Sequence, residues 1–250
     1  MNIDLCFLPA ELAGKDLSRR AIVVFDVLRA TSTIAAGLEA GVADIRVFDS
    51  LQGAKDAAAA HGQARILCGE EKCLPPAGFD LGNSPGAFNR QSHHGATVFM
   101  ATTNGTRALV AARNAKVLMA GALVNASSVA RQLAGIGLDV TLLCAGTNAN
   151  VAMEDVLGAG AVAEALARMS AEVTFTDAAR IGLTVFSATR HDLPTVLSQT
   201  LGGQNVISAG LAPDIDFAAR VDAINVVPFV DGKTLVIRSM QQFDLKLPES

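Results

Sequence analysis

Residues 21–33 read AIVVFDVLRATST, and this stretch contains the change from strand to helix that decides the fold. Its first five residues are apolar and predict a buried strand, and Thr31 or Ser32 is a candidate N-cap for the helix that follows. Asp26 comes at the carboxyl end of the strand, where open α/β sheets bind their ligands. Arg29 lies beside the helix N-terminus, which already attracts anions. The junction therefore predicts either a metal ligand with an anion clamp or a plain salt bridge between Asp26 and Arg29.

A second junction of the same kind follows the strand predicted at 96–101. The guanidinium of Arg107 can bind a phosphate through two hydrogen bonds, and Gly105 permits the backbone to approach a ligand closely. This junction predicts a phosphate-binding loop, although its spacing is not that of a P-loop. The alternative is an ordinary helix that begins at an Asn-Gly turn. The residues of the loop are, in order, Thr103, Asn104, Gly105, Thr106 and Arg107.

Carboxylates mark two further junctions. Glu154 and Asp155 fall in the first turn of a predicted helix that follows the strand predicted at 139–144. Acids in that turn stabilise a helix through its dipole, which is one interpretation. The other is Mg²⁺ binding, because this ion takes one or two carboxylates and keeps several waters. Glu70 follows another strand, so the candidate metal ligands are Asp26, Glu70, Glu154 and Asp155.

Short β-branched segments alternate with alanine-rich segments along most of the chain. This alternation predicts an α/β protein with three α/β/α layers, formed as a single domain over residues 1–250. A hairpin with its turn at Asp231-Gly232 makes the sheet mixed, though mostly parallel. The predicted strands are 2–7, 21–25, 44–48, 65–68, 96–101, 116–119, 139–144, 224–229 and 234–238. The predicted helices are 31–40, 51–61, 106–113, 126–134, 154–169, 176–190 and 213–221.

Composition excludes several classes of function. The chain has 250 residues, of which 50% are hydrophobic and 18% are charged, and its net charge is −4. This weakly acidic charge and the absence of Trp and Tyr argue against nucleic-acid binding. No apolar run reaches the roughly 18–20 residues of a membrane span. The four cysteines form no zinc or disulfide pattern and the first residues do not resemble a signal peptide, so we expect a cytoplasmic protein with reduced thiols.

Several phosphatase and cofactor designs do not fit the motifs. Cys144 lacks the arginine six residues later that a cysteine phosphatase needs, because Asn150 stands there. The Asp-x-Asp motif of aspartyl-phosphate enzymes fails at Leu28, two residues after Asp26. No Gly-x-Gly-x-x-Gly fingerprint follows a strand, so a dinucleotide cofactor is not expected. Acids beside anion-binding loops instead indicate metal-assisted phosphoryl chemistry.

Taken together, the motifs resemble those of the 2-phosphosulfolactate phosphatase (ComB) family. The resemblance runs from about residue 20 to residue 230 and implies a ComB-like fold. It also implies a Mg²⁺-dependent hydrolase that converts (R)-2-phospho-3-sulfolactate into sulfolactate and phosphate, a reaction that serves coenzyme M synthesis in methanogens. The stretches that carry the resemblance are 26–33, 78–85, 102–107, 144–146, 154–155, 158–160 and 227–228.

The resemblance assigns roles to the junction residues, with Mg²⁺ as the expected cofactor and a phosphorylated sulfonate as the small-molecule partner. The candidate catalytic residues are Asp26, Arg29, Glu154 and Asp155. The irregular segment 69–92 is too long for an ordinary connection and is expected to be an ordered active-site loop. The candidate substrate-binding residues are Thr31, Ser32, Asn83, Ser84, Thr103, Asn104, Gly105, Thr106 and Arg107.

Two positions depart from the family pattern. Glu71 stands where an arginine is expected, and Gly202 stands where a histidine is frequent. These departures leave two alternatives open. The protein is a phosphatase for another small phosphorylated hydroxy acid, or it is a non-catalytic module that binds anions. The alanine-rich composition is also compatible with a homo-oligomer.

Overall fold

A computed structural model describes residues 1–240, and residues 241–250 of the predicted single domain lie outside the described residues. Strands and helices mostly alternate as far as residue 189, and three further helices then precede the last two strands. The strands are β1 (Asn2–Cys6), β2 (Arg20–Phe25), β3 (Asp44–Phe48), β4 (Arg65–Gly69), β5 (Thr97–Ala101), β6 (Val117–Gly121), β7 (Asp139–Cys144), β8 (Thr174–Phe175), β9 (Pro228–Asp231) and β10 (Val236–Ser239). The helices are α1 (Ala30–Glu39), α2 (Leu51–Ala59), α3 (Arg90–His93), α4 (Gly105–Ala111), α5 (Ala126–Ile136), α6 (Met153–Met169), α7 (Asp177–Thr189), α8 (Leu193–Gln199), α9 (Leu201–Ser208) and α10 (Pro213–Ala218).

The strands form one mixed sheet in the order β4-β5-β3-β10-β9-β6-β2-β7-β1-β8. The first three are parallel to one another, and so are the last five. The hairpin of β9 and β10 joins these two groups through antiparallel pairings on both of its sides. Three antiparallel pairings separate β3 from β6, so the strand direction reverses between the groups. Twist of roughly 20–25° per strand also accumulates along this path.

Alternate side chains of β2 belong to two different hydrophobic clusters, as expected for a strand that is buried on both faces. Ala21, Val23 and Phe25 pack with residues of α5, α6 and α7. Ile22 and Val24 pack on the opposite face with residues of α1 and α4. Helices therefore cover both faces of the sheet, which confirms the predicted α/β/α layers.

The predicted C-terminal hairpin is present, but its first strand begins at Pro228 rather than at residue 224. Proline is tolerated at the first residue of a strand, because its missing N–H does not interrupt the hydrogen bonds between the strands there. Gly232 follows β9 and packs against the carbonyl oxygen of Arg113, where a Cβ would overlap that oxygen. The turn therefore requires glycine for space.

The seven predicted helices are all present, with small shifts at their ends. Helices α3, α8 and α9 were not predicted. In α9, Gly202 and Gly203 lower the helix propensity of the segment. The hydroxyl of Thr200 accepts a hydrogen bond from the Gly203 N–H at 3.0 Å and so caps α9. This N-cap is the local signal that identifies the helix. Within residues 1–240, no helix is both long enough and apolar enough to cross a membrane.

We predict that the hairpin is essential to the stability of the sheet. Ile237 is fully buried and pairs with Ile45 of β3 and Val230 of β9. Ile237→Ala should lower the free energy of unfolding by about 2–5 kcal/mol, through lost transfer free energy and the cavity that remains. Urea unfolding measures the change. Ile181→Ala, at a side chain that is 51% exposed on α7, is the control and should change stability by about 0.5 kcal/mol or less. Equal effects of the two substitutions would contradict the prediction.

Candidate active site

Two adjoining cavities lie where loops from the two strand groups meet. The inner cavity has a volume of about 70 Å³, and its wall includes Asp26 and Arg29 from the loop after β2. It has room for several water-sized groups. The outer cavity has a volume of about 500 Å³, and its wall includes Lys72 and Arg107. The residues that line both cavities are Glu70, Cys73, Thr102, Thr103, Asn104, Thr147 and Asn205.

Asp26 follows β2 directly and is buried in the wall of the inner cavity. Its Oδ1 accepts a hydrogen bond from the Ala30 N–H at 3.2 Å. Gly105 packs against the carboxylate so closely that a Cβ there would lie 2.9 Å from Oδ2. Burial raises the pKa of Asp26 to about 6, and the negative charges of Glu154 and Glu70 act in the same direction. A cation in the cavity would therefore stabilise the charged form of Asp26.

Glu154 lies in the first turn of α6, and its carboxylate is directed toward the start of α9. Burial raises its pKa, while the Thr200 hydroxyl and the Gly202 N–H approach the carboxylate and oppose that effect. Its Oε2 is buried and has no hydrogen-bond partner among residues 1–240. An unpartnered buried carboxylate oxygen is costly, so this atom marks a place where a proton or a cation belongs.

Asp155 is adjacent to Glu154 in sequence but has a different environment. Its Oδ1 accepts a hydrogen bond from the Val27 N–H at 2.8 Å, and its Oδ2 accepts one from the Gly146 N–H at 3.0 Å. Burial raises its pKa well above the usual range, and the charges of Asp26 and Glu154 raise it further. Asp155 is in the wall of neither cavity as the structure describes them. Its carboxylate therefore holds together the loops after β2 and β7.

Glu70 similarly connects two loops, those that follow β4 and β5. Its Oε1 accepts hydrogen bonds from the Thr103 hydroxyl at 2.7 Å and the Thr103 N–H at 3.2 Å. Its Oε2 accepts one from the Cys73 N–H at 3.0 Å. Both oxygens of Glu70 thus already have protein donors, although the residue lines both cavities.

The donor set fits Mg²⁺, but with fewer carboxylates than the four predicted ones. No three His, Cys, Asp or Glu side chains within residues 1–240 are placed to hold one ion together. Asp26 is in the cavity wall, Glu154 has an unpartnered oxygen, and Oδ1 of Asn83 is a second buried oxygen without a partner in this part of the chain. Because Mg²⁺ takes only one or two carboxylates and completes its shell with waters, these three residues suit it.

Arg29 lines the inner cavity, but its charge is already balanced inside the protein. Its Nη1 donates to Oδ2 of Asp214 at 2.7 Å and to the Ser84 hydroxyl at 3.1 Å. Its Nη2 donates to the carbonyl oxygen of Cys73 at 2.5 Å. The partner in the ion pair is Asp214, not Asp26, which corrects the salt bridge considered in the sequence analysis. The guanidinium connects the β2 loop to the segment 69–92 and to α10.

The hydroxyls of Thr31 and Ser32 bond to the backbone of the loop after β2. The Thr31 hydroxyl donates to the carbonyl oxygen of Asp26 at 2.9 Å, and the Ser32 hydroxyl donates to that of Val27 at 2.8 Å. Each hydroxyl has a single proton, so its donor capacity is used in these bonds. Neither residue lines either of the two cavities in the described chain.

The predicted phosphate-binding loop divides into two sets of residues. Thr103, Asn104 and Arg107 line the outer cavity. Gly105 is buried against Asp26. Thr106 is also buried, and its hydroxyl accepts a hydrogen bond from the Thr102 N–H at 3.4 Å. The first set can contact a ligand, while the second set shapes the loop.

Similarity to known proteins agrees with this geometry. A family model described as 2-phosphosulpholactate phosphatase matches residues 6–233. The chain belongs to this family. A probable 2-phosphosulfolactate phosphatase of Carboxydothermus hydrogenoformans is 37% identical over 251 residues, which cover 97% of this chain and 100% of that protein. A probable 2-phosphosulfolactate phosphatase of Parasynechococcus marenigrum is 39% identical over 233 residues, which cover 91% of this chain and 96% of that protein.

The 2-phosphosulfolactate phosphatase family is one of phosphoric monoester hydrolases, in agreement with the phosphoryl chemistry that the motifs indicate. Both departures from the family pattern border the cavities. Glu71 lines the outer cavity, and Gly202 lines the inner one. The two positions at which we expect a departure from the family pattern therefore lie in the walls of the cavities.

Sequence reasoning missed several residues of this site. Asp214 follows Pro213 in the first turn of α10, where an acid is explained by the helix dipole alone. Asn205 lines both cavities from α9, a helix that was not predicted. The carbonyl oxygen of Cys73 accepts from Arg29, and no side-chain pattern reveals a backbone contact of this kind. Only the N-cap at Thr200 gives a sequence signal that leads to α9 and Asn205.

We predict that Asp26 makes the metal-free protein less stable as the pH rises. Because its folded pKa is raised from 3.8 to about 6, its protonation stabilises the folded state below about pH 4, and this contribution is lost as the pH rises through 6. A shift of this size corresponds to roughly 3 kcal/mol. In EDTA, Asp26→Asn should therefore gain stability relative to the unmodified protein between pH 4 and pH 7.5, as measured by urea unfolding. A stability difference that does not change with pH would contradict the prediction.

Proposed function

We propose that this protein is a Mg²⁺-dependent phosphatase that hydrolyses (R)-2-phospho-3-sulfolactate to sulfolactate and phosphate. The observation that carries the proposal is the buried acidic pair of Asp26 and Glu154 beside a small cavity, in a chain of this family. A buried acidic pair is unfavourable without a cation. Mg²⁺ takes one or two carboxylates, so this pair suits the ion.

Asp26, Glu154 and the side-chain oxygen of Asn83 would hold the ion. Bound Mg²⁺ supplies charge stabilisation for the phosphoryl group and lowers the pKa of a coordinated water. The protein positions these ligands through its backbone, since the Ala30 N–H fixes Asp26 and Gly202 approaches Glu154. Asp155 joins the loop that carries Asp26 to the loop after β7 through hydrogen bonds to both.

The nucleophile in this proposal is water rather than a cysteine. Burial raises the pKa of Cys68 to about 12 and raises that of Cys144 well above its usual range. Burial also raises the pKa of Cys73, the cysteine in the wall of the cavities. Thiols with raised pKa values are poor nucleophiles at neutral pH because the reactive form is the thiolate. The buried acidic pair instead favours attack by a water molecule.

The two other anionic groups of the substrate, its sulfonate and its carboxylate, would bind in the outer cavity. Lys72 sits at the tip of a tight turn that is closed by reciprocal hydrogen bonds between Glu71 and Leu74. Arg107 projects from α4 into the wall of the same cavity. A phosphate in the inner cavity leaves the sulfonate and carboxylate facing this outer cavity. Since Arg29 is neutralised by Asp214, Lys72 and Arg107 are the side chains suited to recognise these anions.

A cytoplasmic location is also part of the proposal. All four cysteines are free in the structure, as expected for a reducing compartment. Homo-oligomer formation stays a prediction from the apolar composition.

We expect phosphate release from 2-phosphosulfolactate that requires Mg²⁺ and stops in EDTA. Release should be faster than from phospholactate or phosphoglycerate. Asp26→Asn and Glu154→Gln should each lower kcat/KM at least about a hundredfold, because several kcal/mol of charge stabilisation depend on them. Asp192→Asn, at an exposed site away from the cavities, is the control and should retain full activity.

Other outcomes of the same assay have distinct meanings. Faster release from phospholactate or phosphoglycerate would make another phosphorylated hydroxy acid the substrate. Thermal stabilisation by 2-phosphosulfolactate without any phosphate release would indicate a non-catalytic binding module. Full activity of both Asp26→Asn and Glu154→Gln would refute the assignment of the acidic pair.

The outer cavity is tested by substrate preference. Lys72→Gln and Arg107→Gln should each raise KM for 2-phosphosulfolactate by about three- to tenfold, because each removes one charge-assisted contact at a partly solvated site. The effect on phospholactate, which lacks the sulfonate, should be smaller. Lys233→Gln, in the turn between β9 and β10, is the matched control. Equal changes in KM for both substrates would show that neither cation recognises the sulfonate.

A further inference from the structure

Gly202 lies where any side chain would collide with Glu154. A Cβ built on Gly202 would overlap Oε1 of Glu154 and would lie 2.8 Å from its Cδ. The third nearest atom, at 3.6 Å, is Oε2 of the same carboxylate. The three atoms closest to that Cβ therefore all belong to Glu154. A side chain at position 202 therefore requires the Glu154 carboxylate to move, and glycine permits its present position. Space is the reason, since Gly202 is an ordinary residue of the helix α9 and does not have positive φ.

The Glu154 carboxylate packs against the first residues of α9, and we call this position its seat. Thr200 caps the helix, and its hydroxyl lies against Glu154, as does the Gly202 N–H. The carboxylate is nearly completely buried in this position. With Oε1 packed against the helix, Oε2 is the oxygen that has no partner among the described residues.

We infer that Gly202 is a positioning residue, which lets Glu154 lie against α9 with Oε2 free for the cation or proton that the site requires. A methyl group at position 202 would push the carboxylate out of its seat, and the inner cavity that Gly202 lines would change with it. This role rests on the proposed function only for its catalytic consequence. The steric relationship between the two residues stands on geometry alone.

The test is a double-mutant cycle read by thermal unfolding in EDTA. Gly202→Ala should lower Tm when Glu154 is present, because the two side chains collide. In the Glu154→Ala background the same substitution should raise Tm, because the space is open and alanine favours a helix more than glycine does. The sign of the effect therefore reverses with the residue at position 154.

Gly135→Ala is the matched control, since Gly135 lies within the helix α5 and its Cβ would meet no atom within 4 Å. It should raise Tm in both backgrounds. A Gly202→Ala variant that folds only when Glu154→Ala is also present would support the inference. If Gly202→Ala lowers Tm equally in both backgrounds, or folds in neither, the inference is overturned.

A second measurement uses Mg²⁺ alone, titrated calorimetrically into the folded protein. Gly202→Ala should weaken Mg²⁺ binding at least tenfold, whereas Gly135→Ala should leave it unchanged. Unchanged binding in Gly202→Ala would remove the positioning role. Absence of phosphatase activity in the unmodified protein would refute the proposed function but would leave the Tm cycle readable, so the two failures are distinguishable.

Discussion

The carboxylate of Asp155 is the contact on which the geometry of the site depends. It accepts one backbone hydrogen bond from the loop after β2 and one from the loop after β7, and these strands are neighbours in the sheet. A buried carboxylate is costly, but two N–H donors compensate part of the cost and fix both loops at once. Asp26 lies in the first of these loops, so this contact also fixes one wall of the inner cavity.

The four carboxylates that the sequence predicts as metal ligands divide into two kinds. Asp155 and Glu70 have protein donors on both oxygens and connect loops, whereas Asp26 borders the cavity and Glu154 keeps an unpartnered oxygen. Arg29 does not balance this negative charge, because Asp214 already neutralises it. The inner cavity thus has an excess of negative charge in a buried environment. In the proposed function a cation balances this excess, and a substrate with several negative charges would then bind there.

The sequence predicts the strand–loop–helix junctions well, because apolar runs, N-caps and acids at strand ends are local signals. It does not predict that the hairpin lies inside the sheet, since the partners of β9 and β10 are distant in the chain. The mostly parallel sheet that the sequence predicts is divided by this hairpin into two strand groups, whose loops meet at the cavities. Thr31 and Ser32 show a further limit, because hydroxyls at a helix start suit a phosphate and the backbone equally well, and here they bond the backbone.

In the proposed function, the residues for catalysis and those for specificity lie in different dielectric environments. Asp26 and Glu154 are both buried, in surroundings where charge interactions are strong and poorly screened. Lys72 and Arg107 are exposed, so water weakens their attraction to an anion, and salt largely screens it at distances beyond about 10 Å. Changes at the inner cavity therefore affect the chemical step, and changes at the outer cavity adjust which anions bind. Substrate preference can diverge at positions such as Glu71 while the acidic pair stays intact, because within residues 1–240 no hydrogen bond joins Glu71, Lys72 or Arg107 to Asp26 or Glu154.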